Sequence, residues 1–430
     1  MPQSEYPSTE LDRTFASAQT LAVVGPTAGL DVDAARAMLA AAENASPTSR
    51  IRLDPRSDSR NWAYRTDIGA GTAVTSRPDL ATDDLGELMD RVRTRDGVRA
   101  PVEIVLCGDY AVVHYSHGVG DGQLGVLLVG AAASDPGFAI ARSMAPSLPR
   151  SATWSALRRH YRSNPRALQD FRRLRAVHKR RDATADGAPT RRIEHWESSK
   201  TTRAAYMRPE QVAELRSWSK ANAPGATGAS VSVALLVAAL RSEGVPLDEH
   251  VMILFNCRRY LDEKHRAEHG NFAIGIPVRL PVLPTPGDVA GVMKQVIDSG
   301  WPIAVLGMAD ARATLKGHRT APAPAPSEDV VTVPDRPRLA VSDLGTLSIY
   351  DHLPWLDDGR PRQMTASLEP DGPDGISILV SQVQGGRSYS ASFCSGMIET
   401  ETVDRALARA CADPVGLLSR NTADLRSDGE

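Results

Sequence analysis

Residues 102–133 read VEIVLCGDYAVVHYSHGVGDGQLGVLLVGAAA, and the order of the parts in this stretch decides the fold class. Val102–Cys107 is apolar and β-branched, Gly108-Asp109 is a turn pair, and Tyr110–Tyr115 is apolar again, the pattern of a β-hairpin. A loop of small residues, His117–Gly122, follows at once, and the apolar run after it predicts a helix over Gln123–Ala133. The order is strand, tight loop, helix. A histidine just past a buried strand, on a loop this small, can be approached closely by a second molecule. Its ordinary pKa of about 6.5 makes it usable as a base near neutral pH. Asp121, four residues on, is placed to hold the loop through a buried ion pair. The plainer alternative is a glycine turn with an incidental histidine.

Two other readings overlap this segment. Gly120-Asp121-Gly122-Gln123-Leu124-Gly125 matches G-x-G-x-x-G, but a dinucleotide fingerprint expects an acid about 20 residues later, within a β-α-β unit. Residues 137–148 hold no acid, and the glycines follow a hairpin. His114, His117 and Asp121 suggest a metal set, yet strand alternation points His114 and His117 to opposite faces. His114 therefore reads as a core histidine, and no metal is expected. The chain has no G-x-S-x-G, no G-x-x-x-x-G-K-[ST] and no H-E-x-x-H.

Outward from the motif, strands and helices interleave. Strands are predicted at Thr20–Val24, Thr201–Met207, Val251–Asn256, Phe272–Leu280, Leu339–Val341, Ile376–Gln382 and Ser388–Phe393. Helices are predicted at Asp31–Asn44, Pro209–Asn222, Ser230–Arg241, Asp288–Asp298 and Glu399–Ala412. Residues 45–100 read as polar and turn-rich. Residues 158–181 carry ten Lys and Arg, with Leu157, Tyr161, Leu168, Phe171 and Leu174 near helical spacing, so one or two amphipathic helices are expected. Their basic face is either solvated or an anion surface suited to phosphates such as those of coenzyme A or a phosphopantetheine arm. Asp182–Thr190 reads as a connector, and Pro322, Pro324 and Pro326 mark a loop. The class is mixed α/β (α+β), with one lobe over 1–185 carrying the motif and a second over 186–430.

The chain has 430 residues, 50 Lys+Arg against 52 Asp+Glu, and a net charge of -2. That balance argues against a nucleic-acid partner. No apolar run approaches the ~20 residues of a membrane span, and the N-terminus has no signal-peptide pattern. Cys107, Cys257, Cys394 and Cys411 are far apart and form no C-x-x-C, which suits a reducing, cytoplasmic setting.

The strand-loop-helix around His117-Gly-Val-Gly-Asp121-Gly122 resembles the H-x-x-x-D-G motif of the chloramphenicol-acetyltransferase-like superfamily. That group includes condensation domains, polyketide-associated acyltransferases and wax ester synthases. Weaker likenesses follow in the right order. Residues 251–261 with Gly270-Asn271-Phe272 resemble the family's D-x-R strand and G-N-F, and residues 340–345 its S-N-x-G stretch. Ser116, Asn256 and Asp343 depart from the pattern, standing where the family has its first motif histidine, the acid of D-x-R and the asparagine of S-N-x-G.

The resemblance implies two similar lobes forming a pseudo-dimer around a central tunnel. It implies an acyltransferase that moves an acyl group from a coenzyme A or carrier-protein thioester to a hydroxyl or amine of a small molecule. No permanently bound cofactor and no partner subunit are needed. In this reading His117 is the general base and Ser342 donates to the oxyanion. Asp121 pairs with Arg258 in a structural role, and Gly122 leaves room beside the imidazole. A free-standing condensation enzyme fed by an acyl or peptidyl carrier protein, and a non-catalytic or repurposed relative, stay open as alternatives.

Overall fold

The computed structural model describes residues 5–46, 48–66, 73–95, 100–134, 146–179, 189–315 and 330–427. Two mixed sheets form its frame. The first has five strands in the order Gln363–Ser367, Gln19–Gly25, Tyr110–Ser116, Val102–Cys107 and Val74–Ser76, antiparallel except for the last pair. Its middle strands are buried on both faces, which is why they read as unbroken apolar runs. Ala22, Val24, Ile104 and Val113 pack with the helices Val32–Ala45 and Gly122–Ala132. Leu21, Val23, Val105 and Val112 pack against the helix Leu85–Arg93 on the other face.

The second sheet has six strands in the order Ala273–Arg279, His250–Asn256, Arg338–Thr346, Gly375–Val383, Gly386–Cys394 and Lys200–Met207. The contacts from His250–Asn256 to Arg338–Thr346 and on to Gly375–Val383 are parallel, and the flanking pairs are antiparallel. The helix Gly228–Ser242, buried from Ser230 to Leu240, lies in its largest core cluster with Val403 and Leu407 of Thr400–Ala412.

The predicted strands and helices are present, most within two residues of their predicted ends. The segment read as polar and turn-rich holds the helix Leu85–Arg93. Asp84 caps it, and Leu85, Leu88, Met89 and Val92 form one buried stripe. The basic stretch forms two helices, Arg150–Ser163 and Ala167–Val177. The proline loop at 322–326 and residues 180–188, which hold the expected lobe boundary, lie outside the described residues.

A division at 185 does not separate the two sheets. The first sheet takes its edge strand, Gln363–Ser367, from the second half of the chain. Buried hydroxyls line the seam where this strand meets the other sheet. Ser390 Oγ donates to Ala366 O at 2.6 Å, the Leu368 amide donates to Ser392 Oγ at 3.0 Å, and Thr202 and Ser367 hydroxyls lie 2.8 Å apart. Among the described residues all four cysteines are free and buried, no His/Cys/Asp/Glu group could hold a metal, and no helix is long and apolar enough to cross a membrane.

Candidate active site

The central strand Tyr110–Ser116 delivers His117 just past its C-terminal end, where its amide donates to Ala18 O at 2.8 Å. Ser116 fastens the turn. Its hydroxyl donates to Ala16 O at 2.8 Å and accepts the Gly118 amide at 3.2 Å. Gly118 lies so close to the N-terminal segment that a Cβ would sit 2.9 Å from Ala16 Cα and 3.1 Å from Trp62. Asp121 caps the motif helix by accepting the Gln123 amide at 3.2 Å. Its other oxygen accepts from Arg258 Nη1 at 2.6 Å and from the Phe272 amide at 3.0 Å. Arg258 is buried and also donates to Gly270 O at 3.0 Å.

A second buried network holds the same loop from the N-terminal side. Arg50 is 2 % exposed and Asp12 1 %, and they pair at 2.8 Å. Arg50 also donates to Tyr6 Oη at 2.6 Å, to Gly118 O at 2.9 Å and to Val119 O. Burial alone would raise the Asp12 pKa. Arg50, the Thr9 amide, Asn271 and Tyr6 outweigh it and hold this carboxyl below the usual range.

Asn271 joins this network to the imidazole. Its amide nitrogen donates to Asp12 Oδ1 at 3.0 Å, to His117 O at 3.0 Å and to Gly118 O at 3.3 Å. With the nitrogen so occupied, the amide oxygen faces His117 Nδ1 at 3.1 Å. His117 Nδ1 therefore carries the proton and donates it to Asn271, and Nε2 keeps its lone pair. Burial lowers the His117 pKa, outweighing its own carbonyl, Asp121, Asn271 and Asp12, which favour the charged ring. The ring is neutral at pH 7. It is partly buried, with the Phe15 ring 4.5 Å away between centroids.

Solved structures share this architecture across almost the whole chain. A trichothecene 15-O-acetyltransferase from Fusarium sporotrichioides superposes with a TM-score of 0.59 at 12% identity, covering 94% of this chain and 95% of that one. The first condensation domain of the calcium-dependent antibiotic synthetase gives 0.56 at 16% identity, covering 96% and 95%. The epimerization domain from the third module of tyrocidine synthetase B gives 0.55 at 15% identity, covering 96% and 94%. The chain has the condensation-domain-like fold. No protein-family model matches it, and no curated protein matches it in sequence. These three proteins are named for different chemistries, so function in this fold has to be argued from the site.

The structure brings together His117, Asp121 and Arg258. Ser342 stands apart, its side chain making no hydrogen bond among the described residues, but strand alternation gives its direction. It pairs in register with Leu379, which is buried in the core cluster of the first sheet, so both side chains face that sheet. Leu344, two residues on, also packs against that cluster. A Cβ on Gly122 would meet only Leu344, at 3.4 Å, so this glycine faces the strand of Ser342, and its Cβ position is not within 4 Å of the imidazole.

The departures from the family pattern have local roles. Asn256 Oδ1 accepts the Arg258 amide at 2.9 Å and starts the short helical turn that presents Arg258. Asp343 points to the opposite face from Ser342, accepting from Ser232 Oγ at 2.8 Å and from the Gly345 amide at 2.7 Å. His114 is 2 % exposed, in the core, and lies 3.6 Å from Glu103. Sequence reasoning did not assign Asp12, Arg50, Asn271 or Phe15 to the site. Only Asn271 had a signal, inside Gly270-Asn271-Phe272.

Proposed function

We propose that the protein is an acyltransferase using an activated thioester, with His117 as general base. The reading is carried by one observation: Asn271 fixes the imidazole with its proton on Nδ1, which leaves Nε2 as a basic lone pair. Nε2 takes the proton from an acceptor hydroxyl or amine as the acceptor oxygen or nitrogen attacks the thioester carbonyl. When the tetrahedral intermediate collapses, the C–S bond breaks and the imidazolium returns the proton to the departing thiolate. Ser342, facing the first sheet, is the candidate donor to the oxyanion. Asp121, Arg258 and Arg50 hold the loop. The donor is coenzyme A or a carrier protein's phosphopantetheine thioester, and the acceptor is a small molecule. The reaction also requires a passage to Nε2.

A test is incubation of the full chain with acetyl-coenzyme A, or with the same acetyl group on a phosphopantetheinylated carrier protein, and a panel of small alcohols and amines. Products are read by mass spectrometry. A product formed by the wild type and lost in His117→Ala supports the reading, and the preferred donor separates a coenzyme A enzyme from a carrier-fed condensation enzyme. Equal product with and without His117 refutes the base role. No acyl transfer from either donor favours a non-catalytic relative.

A further inference from the structure

The helices Arg150–Ser163 and Ala167–Val177 take no part in the network around His117. From 150 to 179 the chain carries nine Lys and Arg but one acid, Asp170, although the whole protein has a net charge of -2. Asp170 already lies 3.4 Å from Arg173. Arg172 and Arg175, three positions apart on the second helix, and Lys179, just past its end, are exposed, and their side chains have no hydrogen-bond or ion-pair partner among the described residues. Like charges at this spacing disfavour a bare helix.

The three cations rim a cavity of about 580 Å³ between the second helix and the edge strand Ala273–Arg279. That size lies within the ~300–1,000 Å³ of small-molecule sites. Phe171, Pro277 and Trp301 supply apolar lining, with Phe171 edge-on to Trp301 at 6.4 Å. His178 completes it, buried, its ring 6.0 Å from Trp301. His178 Nδ1 accepts the Arg279 amide at 2.9 Å, which puts the ring proton on Nε2. Burial, and then the charge of His250, lower the His178 pKa, so it is a neutral donor. Among the described residues no acid lines the cavity.

We infer that this groove is a second binding site, for a phosphate ester or anhydride carrying a flat or apolar body. Arg172 and Arg175 offer forked donors to phosphate oxygens, and Lys179 adds a point charge. His178 Nε2–H supplies one directional donor, and the body rests on the apolar lining. The groove shares no lining residue with the motif loop, so its occupancy does not depend on His117 or on acyl transfer.

Calorimetric titration of the full chain with ADP, inorganic pyrophosphate and adenosine tests this. ADP should saturate, adenosine should not, and pyrophosphate should bind about tenfold more weakly than ADP for want of the body. Arg172→Glu with Arg175→Glu should weaken ADP about tenfold or more at an unchanged melting temperature, since both side chains are exposed. Arg158→Glu with Arg162→Glu, on the neighbouring helix, should leave ADP affinity within about twofold. The inference is overturned by an absence of saturable ADP binding, by adenosine binding as tightly as ADP, or by pyrophosphate doing so. Equal weakening from the two charge reversals also overturns it, because the site would then be a diffuse field.

Discussion

Asp121–Arg258 and Asp12–Arg50 are both buried aspartate–arginine pairs, at 2.6 and 2.8 Å, and both end on the motif loop, yet they grip it differently. Arg258 holds the loop by a side chain, and its Nε has no partner among the described residues. Arg50 holds the loop by its main chain, through the carbonyls of Gly118 and Val119, and Asp12 reaches past it to Asn271. The first pair sets where the motif helix begins. The second, through Asn271, sets which imidazole nitrogen is basic. One type of contact thus anchors the fold at one end of six residues and orients a reacting atom at the other.

The largest effects should come from cutting either pair. Arg50→Ala and Asp121→Ala each strand a buried charge and should cost about 3–5 kcal/mol in urea denaturation. A variant that keeps its stability while losing turnover would remove that pair from the comparison. His117→Ala should lower kcat/KM about 10²–10⁴-fold with the melting temperature unchanged, since it removes the base but neither pair. Ser342→Ala should cost about 10²–10³-fold in kcat if its hydroxyl meets the oxyanion, and near-wild-type kcat would exclude that role.

Asn271→Ala should cost about 10–100-fold, the range for an outer group that orients a histidine. Nitrogen-15 shifts of His117 should then show the Nδ1–H preference lost. The smallest effect is on pH dependence. The folded His117 pKa lies below its ordinary value, so the neutral base persists to lower pH, and the acid limb of kcat/KM should have its midpoint below about 6.5. Asn271 favours the charged ring, so Asn271→Ala should move that midpoint lower still.

The same comparison shows what could be read from the sequence. Asp121 lies inside a compact motif and Arg258 follows a strand with a recognisable ending, so the family resemblance of the sequence already implies their pairing. Asp12 and Arg50 sit in polar stretches without periodicity, and Asn271 reaches Asp12 from 259 positions away. Contacts at that separation leave no local pattern, because hydrogen-bond partners are chosen by the folded arrangement. Leu85–Arg93 is a different kind of miss. Its cap at Asp84 and its stripe of Leu85, Leu88, Met89 and Val92 were readable, but they were masked by polar neighbours. Gln363–Ser367 offered too little, five residues with no strict alternation, and only its place between the sheets makes it a strand.

That strand has a consequence for how the protein is made. During synthesis the first sheet cannot close its edge until residue 367 has left the ribosome, well after the motif hairpin has emerged. Until then the backbone of Gln19–Gly25 offers an open row of donors and acceptors to any passing chain. A fragment ending near residue 185 should therefore clump when expressed alone, and co-expression of the remainder should rescue it.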